Sequence, residues 1–261
     1  MIFLKRPKKI GLALSGGGAR GLAHIGVIEV LEEKGIEISA VAGTSMGAVV
    51  GSLYALGVSI KEILDFMNSN DWKRFVISSN FTIPNLISVN SRKVGKLLSK
   101  LLGDKTFNDC KIPFCSVAAD AVSKDKVYIK EGRLIDAVRA SIAIPGIFEP
   151  LISDGRILVD GGVVEPVPVE AVKNFDVNFI IAAALNNLEK TKTPDSKLSL
   201  FTLIGISLSM MEREMSKHYL ESADIIIEPS TGNFGVFEFS KALEIINVGR
   251  EAAKSALKKI H

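Results

Sequence analysis

The chain of 261 residues has no glutamine, one tryptophan, two cysteines and three histidines. Cys110 and Cys115 are too few, and too close together, to make a disulfide framework. Histidine is confined to His24, His218 and His261, and no Cys/His grouping has the spacing of a zinc site. No metal and no cofactor is therefore expected. An excess of charge is also missing. Lys and Arg number 32 against 29 Asp and Glu, and a net of +3 is too small for a nucleic-acid footprint over the whole surface. The N-terminus sets its positive charges behind a very short apolar run, the reverse of a secretory signal, so a cytoplasmic location is expected. The missing glutamine weakly suits a biased or heat-adapted proteome.

What is present is ordinary globular material: 47% hydrophobic and 23% charged residues, with no repeat and no linker. Residues 1–261 read as a single domain with enough chain for a sizeable core. One run, Ile38 to Ile60, carries no charge for 23 residues, long enough to cross a bilayer. Gly43, Gly47 and Gly51 even imitate a helix-dimerisation face. Yet glycines break it in the middle, and a buried strand followed by a buried helix explains it better.

Taken in order, Lys9 to Ser15 reads as a buried strand, followed by Gly16-Gly17-Gly18-Ala19-Arg20-Gly21 and a helix to about Lys34, stopped by Gly35. Ile38 to Ala42 is the next strand, which gives a right-handed βαβ start. Strands are expected over 112–122, 126–130, 156–159, 175–185 and 223–228, and helices over 132–142, 197–222 and 240–259. The fold class is α/β, three layers, with a mostly parallel central sheet. Between Trp72 and Arg92 no clean period is visible. Beyond it Val94, Leu97, Leu98, Leu101 and Leu102 share one side of a stretch that also carries Arg92, Lys93, Lys96 and Lys100. Two readings stay open. One is a loop and an ordinary surface helix. The other is a cap over residues 72–103 whose exposed apolar residues, at 75–102, touch the inner face of a membrane peripherally.

Gly43-Thr44-Ser45-Met46-Gly47 has the G-x-S-x-G layout of a serine on a tight strand-to-helix turn. The glycines at 43 and 47 are needed because side chains there would strike the neighbouring strand or helix. A plain glycine-rich turn with an incidental serine has the same letters. A serine nucleophile also needs a base. His261 is the last residue, His218 falls in the charged half of a helix, and His24 supports or lines the glycine loop, so a Ser-His-Asp triad is not expected. A carboxylate is the substitute. Asp160 ends a buried run before Gly161 and Gly162, whereas the Asp154-Gly155 pair reads as a hairpin turn. The loop Gly16 to Gly18 leaves backbone N–H groups open to an oxyanion or a phosphate. Gly16, Gly18 and Gly21 also match a dinucleotide spacing, but Glu37 precedes the second strand instead of ending it.

Together these segments resemble the patatin-like phospholipase family. The glycine loop is similar to its oxyanion motif, Gly43 to Gly47 to its nucleophile elbow, and Asp160-Gly161-Gly162 to its D-G-[GA] motif. Ala140 to Pro145, with Phe148 and Pro150, is similar to a further block, and all follow the family order over about 10–170. Ala223 to Pro229 and the 239–253 region resemble the C-terminal part of bacterial members. Glu165 departs from the family pattern, which often has Asn before Pro166 and Pro168. The resemblance implies a patatin-like topology and a Ser-Asp dyad. Ser45 would attack an ester carbonyl and Asp160 would take its proton, with Gly16, Gly17 and Gly18 as the oxyanion hole through the N–H groups of Gly17 and Gly18. Supporting places fall to Gly43, Gly47, Gly161, Gly162 and Pro145. Arg20 would steady the loop, meet a phosphate or hold an ion pair. The implied partner is a lipid or small ester, with no nucleic acid. A membrane-associated regulator with little turnover, and a nucleotide-binding protein, are the competing functions.

Overall fold

The two apolar runs that open the chain lie side by side. β1 (Ile10–Leu14) and β2 (Ile38–Thr44) pair in parallel, joined through a 3-10 turn at Gly18–Leu22 and by α1 (Ala23–Glu33). The computed structural model describes residues 8–78, 87–185 and 200–258. The remaining strands are β3 (Phe114–Asp120), β4 (Lys126–Ile129), β5 (Leu151–Ser153), β6 (Arg156–Asp160), β7 (Phe179–Ala183) and β8 (Ile225–Ile227). They form one sheet in the order β5-β6-β3-β2-β1-β7-β8, with β4 also paired to β3. The centre, from β3 to β8, is parallel, as expected for strands joined by helical crossovers. One edge is antiparallel: β6 and β4 both run against β3, and β5 returns into β6 through Asp154 and Gly155, both in the left-handed region.

Helices cover both faces. α2 (Met46–Ala55) follows β2 directly, so the uncharged run that could have crossed a bilayer is a strand and a helix. Among the described residues, no helix is long and apolar enough to cross a membrane. α6 (Leu134–Ser141), α7 (Val169–Lys173), α8 (Leu200–Leu220) and α9 (Ala242–Leu257) complete the layers. The larger apolar core lies under α1, α2 and α9, and the smaller under α7 and the end of α8. α1 and α9 cross at glycines. A side chain on Gly26 would begin 2.0 Å from the Ile246 carbonyl oxygen, and one on Gly249 would begin 1.9 Å from that of Ala23. Arg250 and Glu29 bridge the same crossing.

The 72–103 region differs from the expectation of an aperiodic loop. α3 (Ile60–Met67), started by a Ser59–Glu62 capping box, leads into α4 (Asn70–Ser78), so Trp72 and Phe75 are helical. α5 (Ile87–Leu102) follows, and 79–86 lie outside the described residues. The apolar side of α5 is turned inward: Leu98 and Leu102 are buried, and Val94, Leu97 and Leu101 are half-buried against the core. These residues of α5 therefore face the protein. Most other expected elements end within a few residues of their expected bounds, while β2 runs on to Thr44 and β6 to Asp160. Residues 197–199, 259 and His261 lie outside the described residues.

Candidate active site

Ser45 and Asp160 come together because the register of three strands requires it. Thr44, the last residue of β2, pairs with Val117, and Asp160, the last of β6, pairs with Ala118. The serine and the aspartate therefore leave the sheet on the two sides of β3 at the same height. Ser45 Oγ donates to Asp160 Oδ2 at 2.7 Å, and both residues are buried.

The turn that presents Ser45 is strained. Its φ of 54° and ψ of −123° lie where a side chain is disfavoured, typically by about 1–3 kcal/mol. Close packing imposes this geometry. A side chain on Gly43 would begin 2.3 Å from the Gly47 carbonyl oxygen, and one on Gly47 would begin 2.1 Å from that of Leu14. The steric role read from the sequence for both glycines is what the packing requires. Ser45 N–H donates to Ser141 Oγ at 2.8 Å, and that hydroxyl donates to Val117 O at 2.6 Å. Two residues on, Ala143 O accepts from Asp160 N–H at 3.0 Å. The end of α6 thus holds both halves of the pair. Ser141 lay within a block that the sequence singled out, but its role depends on a contact that only folding creates.

Asp160 has two side-chain ties. Its Oδ1 accepts from Gly162 N–H at 2.8 Å, its Oδ2 accepts from Ser45, and Gly161 lets the turn pass over β3, where a side chain would begin 2.4 Å from Val117 O. Burial outweighs both hydrogen bonds and pushes the Asp160 carboxyl up to about 6. A carboxyl so raised binds a proton more tightly than an exposed aspartate does. His24 plays no such part. It is fully buried, donates from Nε2 to Ser15 O at 2.8 Å and leaves Nδ1 without a partner. Burial lowers it to about 4, so it is neutral at physiological pH and supports the entry to the glycine loop.

The loop itself is only partly open. Gly16 N–H donates to Pro166 O and Ala19 N–H to Val236 O, so Gly16 is no donor into the site. It is a spacer: a side chain there would begin 3.4 Å from Ser45 Cβ. Among the described residues, the N–H groups of Gly17 and Gly18 have no protein acceptor. Gly18, at φ +57°, sits hard against Val236 O, which a side chain would approach to 2.3 Å. Arg20 donates from Nε to Phe234 O at 2.6 Å and holds the loop to the segment before α9, with no carboxylate partner among the described residues. Of its three expected roles, steadying is the one this contact performs. Burial lowers its pKa.

Pro145 is exposed, and its neighbours Ile142, Ile144 and Phe148 do the lining. Glu165 is not part of the pocket either. Fully buried, it accepts from Tyr128 Oη at 2.5 Å and Ala171 N–H at 3.0 Å, and its carbonyl accepts from Thr44 Oγ1 at 2.8 Å. Its departure from the family pattern therefore bears on the side-chain contacts to Tyr128 of β4 and Ala171 of α7. The pocket runs from Ser45 and Gly18 beneath α3, α4 and α5 as a narrow cavity of about 100 Å3. Its walls are apolar, with Phe66, Trp72, Phe75, Leu98 and Phe148 among them. At the far end Met67, Trp72 and Phe239 divide it from an outer groove that reaches the exposed Ile77 and Leu243. Among the described residues, no group of three or more His, Cys, Asp or Glu could hold a metal ion.

Three contributors gave no sequence signal. Val236 and Phe234 act through backbone carbonyls, which no side-chain pattern reports. Glu212, in the charged half of α8, is held beside the Gly161–Val163 turn, and burial together with the Asp160 charge pushes it up to about 7.

Comparison with known proteins places these motifs. Residues 12–173 match the family described as patatin-like phospholipase. An uncharacterised NTE-family protein of Mycobacterium bovis is 35% identical over 189 residues, which cover 72% of this chain and 52% of that protein. The lysophospholipase nte1 of Aspergillus fumigatus is 27% identical over 284 residues, covering 97% of this chain and 18% of its own length. The chain thus spans about half the length of the mycobacterial relative and a smaller share of the fungal one. Among solved structures, VipD of Legionella pneumophila superposes with a TM-score of 0.53 at 16% identity, covering 97% of this chain and 67% of that one, a likeness of fold.

Proposed function

Because the chain belongs to the patatin-like phospholipase family, we propose that it hydrolyses lipid acyl esters with Ser45 as nucleophile and Asp160 as base. The observation that carries this reading is the 2.7 Å hydrogen bond from Ser45 Oγ to Asp160 Oδ2 at the mouth of an apolar cavity. At neutral pH a carboxyl of pKa about 6 is mostly ionised, yet binds a proton far better than an exposed aspartate. As Oγ attacks the acyl carbonyl, its proton passes to Oδ2, and the oxygen that gains charge faces the unspent N–H groups of Gly17 and Gly18. Asp160 then returns the proton to the leaving alkoxide. Water, activated by the same carboxylate, cleaves the acyl-enzyme. Esters suit this dyad better than amides, because an alkoxide leaves more readily than an amine.

The cavity supports a long acyl group as the part that is bound. Each methylene moved from water to such walls is worth about 0.8 kcal/mol. The lysophospholipase name of the fungal relative supports a phospholipid or lysophospholipid substrate. A nucleotide fits less well. Val236 closes on Gly18, and the second strand ends in the serine turn without an acidic residue. Treatment with a fluorophosphonate probe, followed by peptide mapping, tests the reading. Label on Ser45, lost in Asp160→Ala, is expected. A folded protein that takes no label there would favour a regulator without turnover.

A further inference from the structure

One largely buried acid, Glu212, lies close to the dyad without taking part in it. Glu212 points from α8 across the turn that follows Asp160. Its Oε1 lies 2.7 Å, and Asp160 Oδ1 lies 3.1 Å, from the point where a side chain on Gly162 would begin. The two carboxyls therefore face each other over the bare glycine at roughly 6 Å or less, close enough for each to feel the other's charge. Oδ1 is the oxygen of Asp160 turned away from the serine, since Oδ2 takes the serine hydrogen. Glu212 thus stands behind the base and does not touch the nucleophile.

Among the described residues, nothing neutralises Glu212, and no donor or cation binds its carboxyl. Asp160 faces it from β6. α7, also packed on α8, brings Glu170 and Lys173, but Glu170 is held by Lys126 and lies near His218 further along the helix. On α8 itself, Arg213 and Glu214 are exposed, and Glu214 pairs with Lys217. An acid left in such a place is costly unless its charge is used or withheld.

We propose that Glu212 is a positioning residue that sets a second, titratable carboxyl behind Asp160 and so controls how strongly Asp160 draws the Ser45 proton. The proposal rests on the Ser45–Asp160 reading. While Glu212 keeps its proton, Asp160 works beside a neutral neighbour. Once Glu212 ionises, the second negative charge in a water-poor place strengthens Asp160 as a base. Activity then rises in two steps as pH increases, and the second step belongs to the pair and not to either acid alone.

The test is kcat/KM for p-nitrophenyl butyrate between pH 5 and 9, measured on the full chain and on Glu212→Gln, Glu212→Asp and Ser45→Ala. The unmodified protein is expected to show two ionisations on the acid side, near pH 6 and near pH 7. Glu212→Gln, close in shape, keeps the first and loses the second, and at pH 8 it is about 3–10-fold slower. Glu212→Asp keeps two steps with the upper one displaced, and it carries the test if the Gln variant does not fold. A Gln variant that retains the second step would overturn the proposal. So would a folded one that is dead at every pH, because Glu212 would then act directly. Activity surviving in Ser45→Ala would instead remove the dyad reading beneath it.

Discussion

Asp160→Asn should make the protein more stable and abolish its activity. In the fold the Asp160 carboxyl holds its proton to about pH 6, against an ordinary 3.8. Each tenfold gain in proton affinity is worth about 1.4 kcal/mol, so the ionised group costs the folded state roughly 3 kcal/mol at pH 8. The sign follows from the direction of the shift. A carboxyl raised by burial destabilises the fold fully above pH 6, and that cost fades as pH falls from 6 to 3.8. Asparagine removes the cost and keeps the contacts: its oxygen accepts from Gly162 N–H, and its amide can donate to Ser45 Oγ in place of accepting. Loss of the Asp160 charge also relieves Glu212, in the same sense. Thermal unfolding of both proteins at pH 8 and pH 4 is the assay. The variant should melt about 6–10 °C higher at pH 8 and nearly level at pH 4. Ester hydrolysis should fall at least ~100-fold, the usual share of a general base. Equal melting temperatures at pH 8, or a gap that persists at pH 4, would refute the reasoning, because the charge on Asp160 would then not be the source.

Trp72→Ala should join the cavity to the outer groove that shares Met67 and Phe239 with it. Among p-nitrophenyl esters of increasing length, the preferred acyl chain should lengthen through KM, and an unchanged profile would mean that Trp72 does not end the site. Gly47→Ala places a methyl 2.1 Å from the Leu14 carbonyl oxygen. The chain must shift to admit it, and a loss of some 2–4 kcal/mol in chemical denaturation is expected, whereas a change below 0.5 would show that the elbow is not tightly packed.

Much of this arrangement was legible in the sequence because it is carried by residues whose chemistry is local. The strand–loop–helix–strand opening and the serine turn follow from short patterns, Asp160 stood out by its place before two glycines, and the parallel centre of the sheet follows from the crossovers. The family resemblance added the order of the distant segments. What stayed hidden depends on position in three dimensions. α4 escaped notice because Trp72, Phe75 and Val76 give a nine-residue helix too short for its period to stand out. The apolar side of α5 was visible, but whether it faced lipid or the protein was not, since both partners select the same residues. Gly16 was counted with its two neighbours as a donor, and only the Pro166 carbonyl shows that its N–H is already spent. Glu212 lies 52 positions beyond Asp160, and nothing in its own helix marks it.

The clasp of Phe234, Val236 and α9 on the glycine loop has a consequence in time. Arg20 and Phe234 are 214 positions apart, and the glycine crossing of α1 with α9 joins residues still further from each other in the chain. Synthesis runs from the N-terminus at roughly 5–20 residues per second, so the serine turn leaves the ribosome many seconds before the segment that fixes the loop beside it. An unfinished chain carries Ser45 beside a glycine loop that Phe234 and Val236 have not yet braced. On the proposed hydrolase reading, the site is complete only once the segment from Phe234 into α9 has docked on the loop.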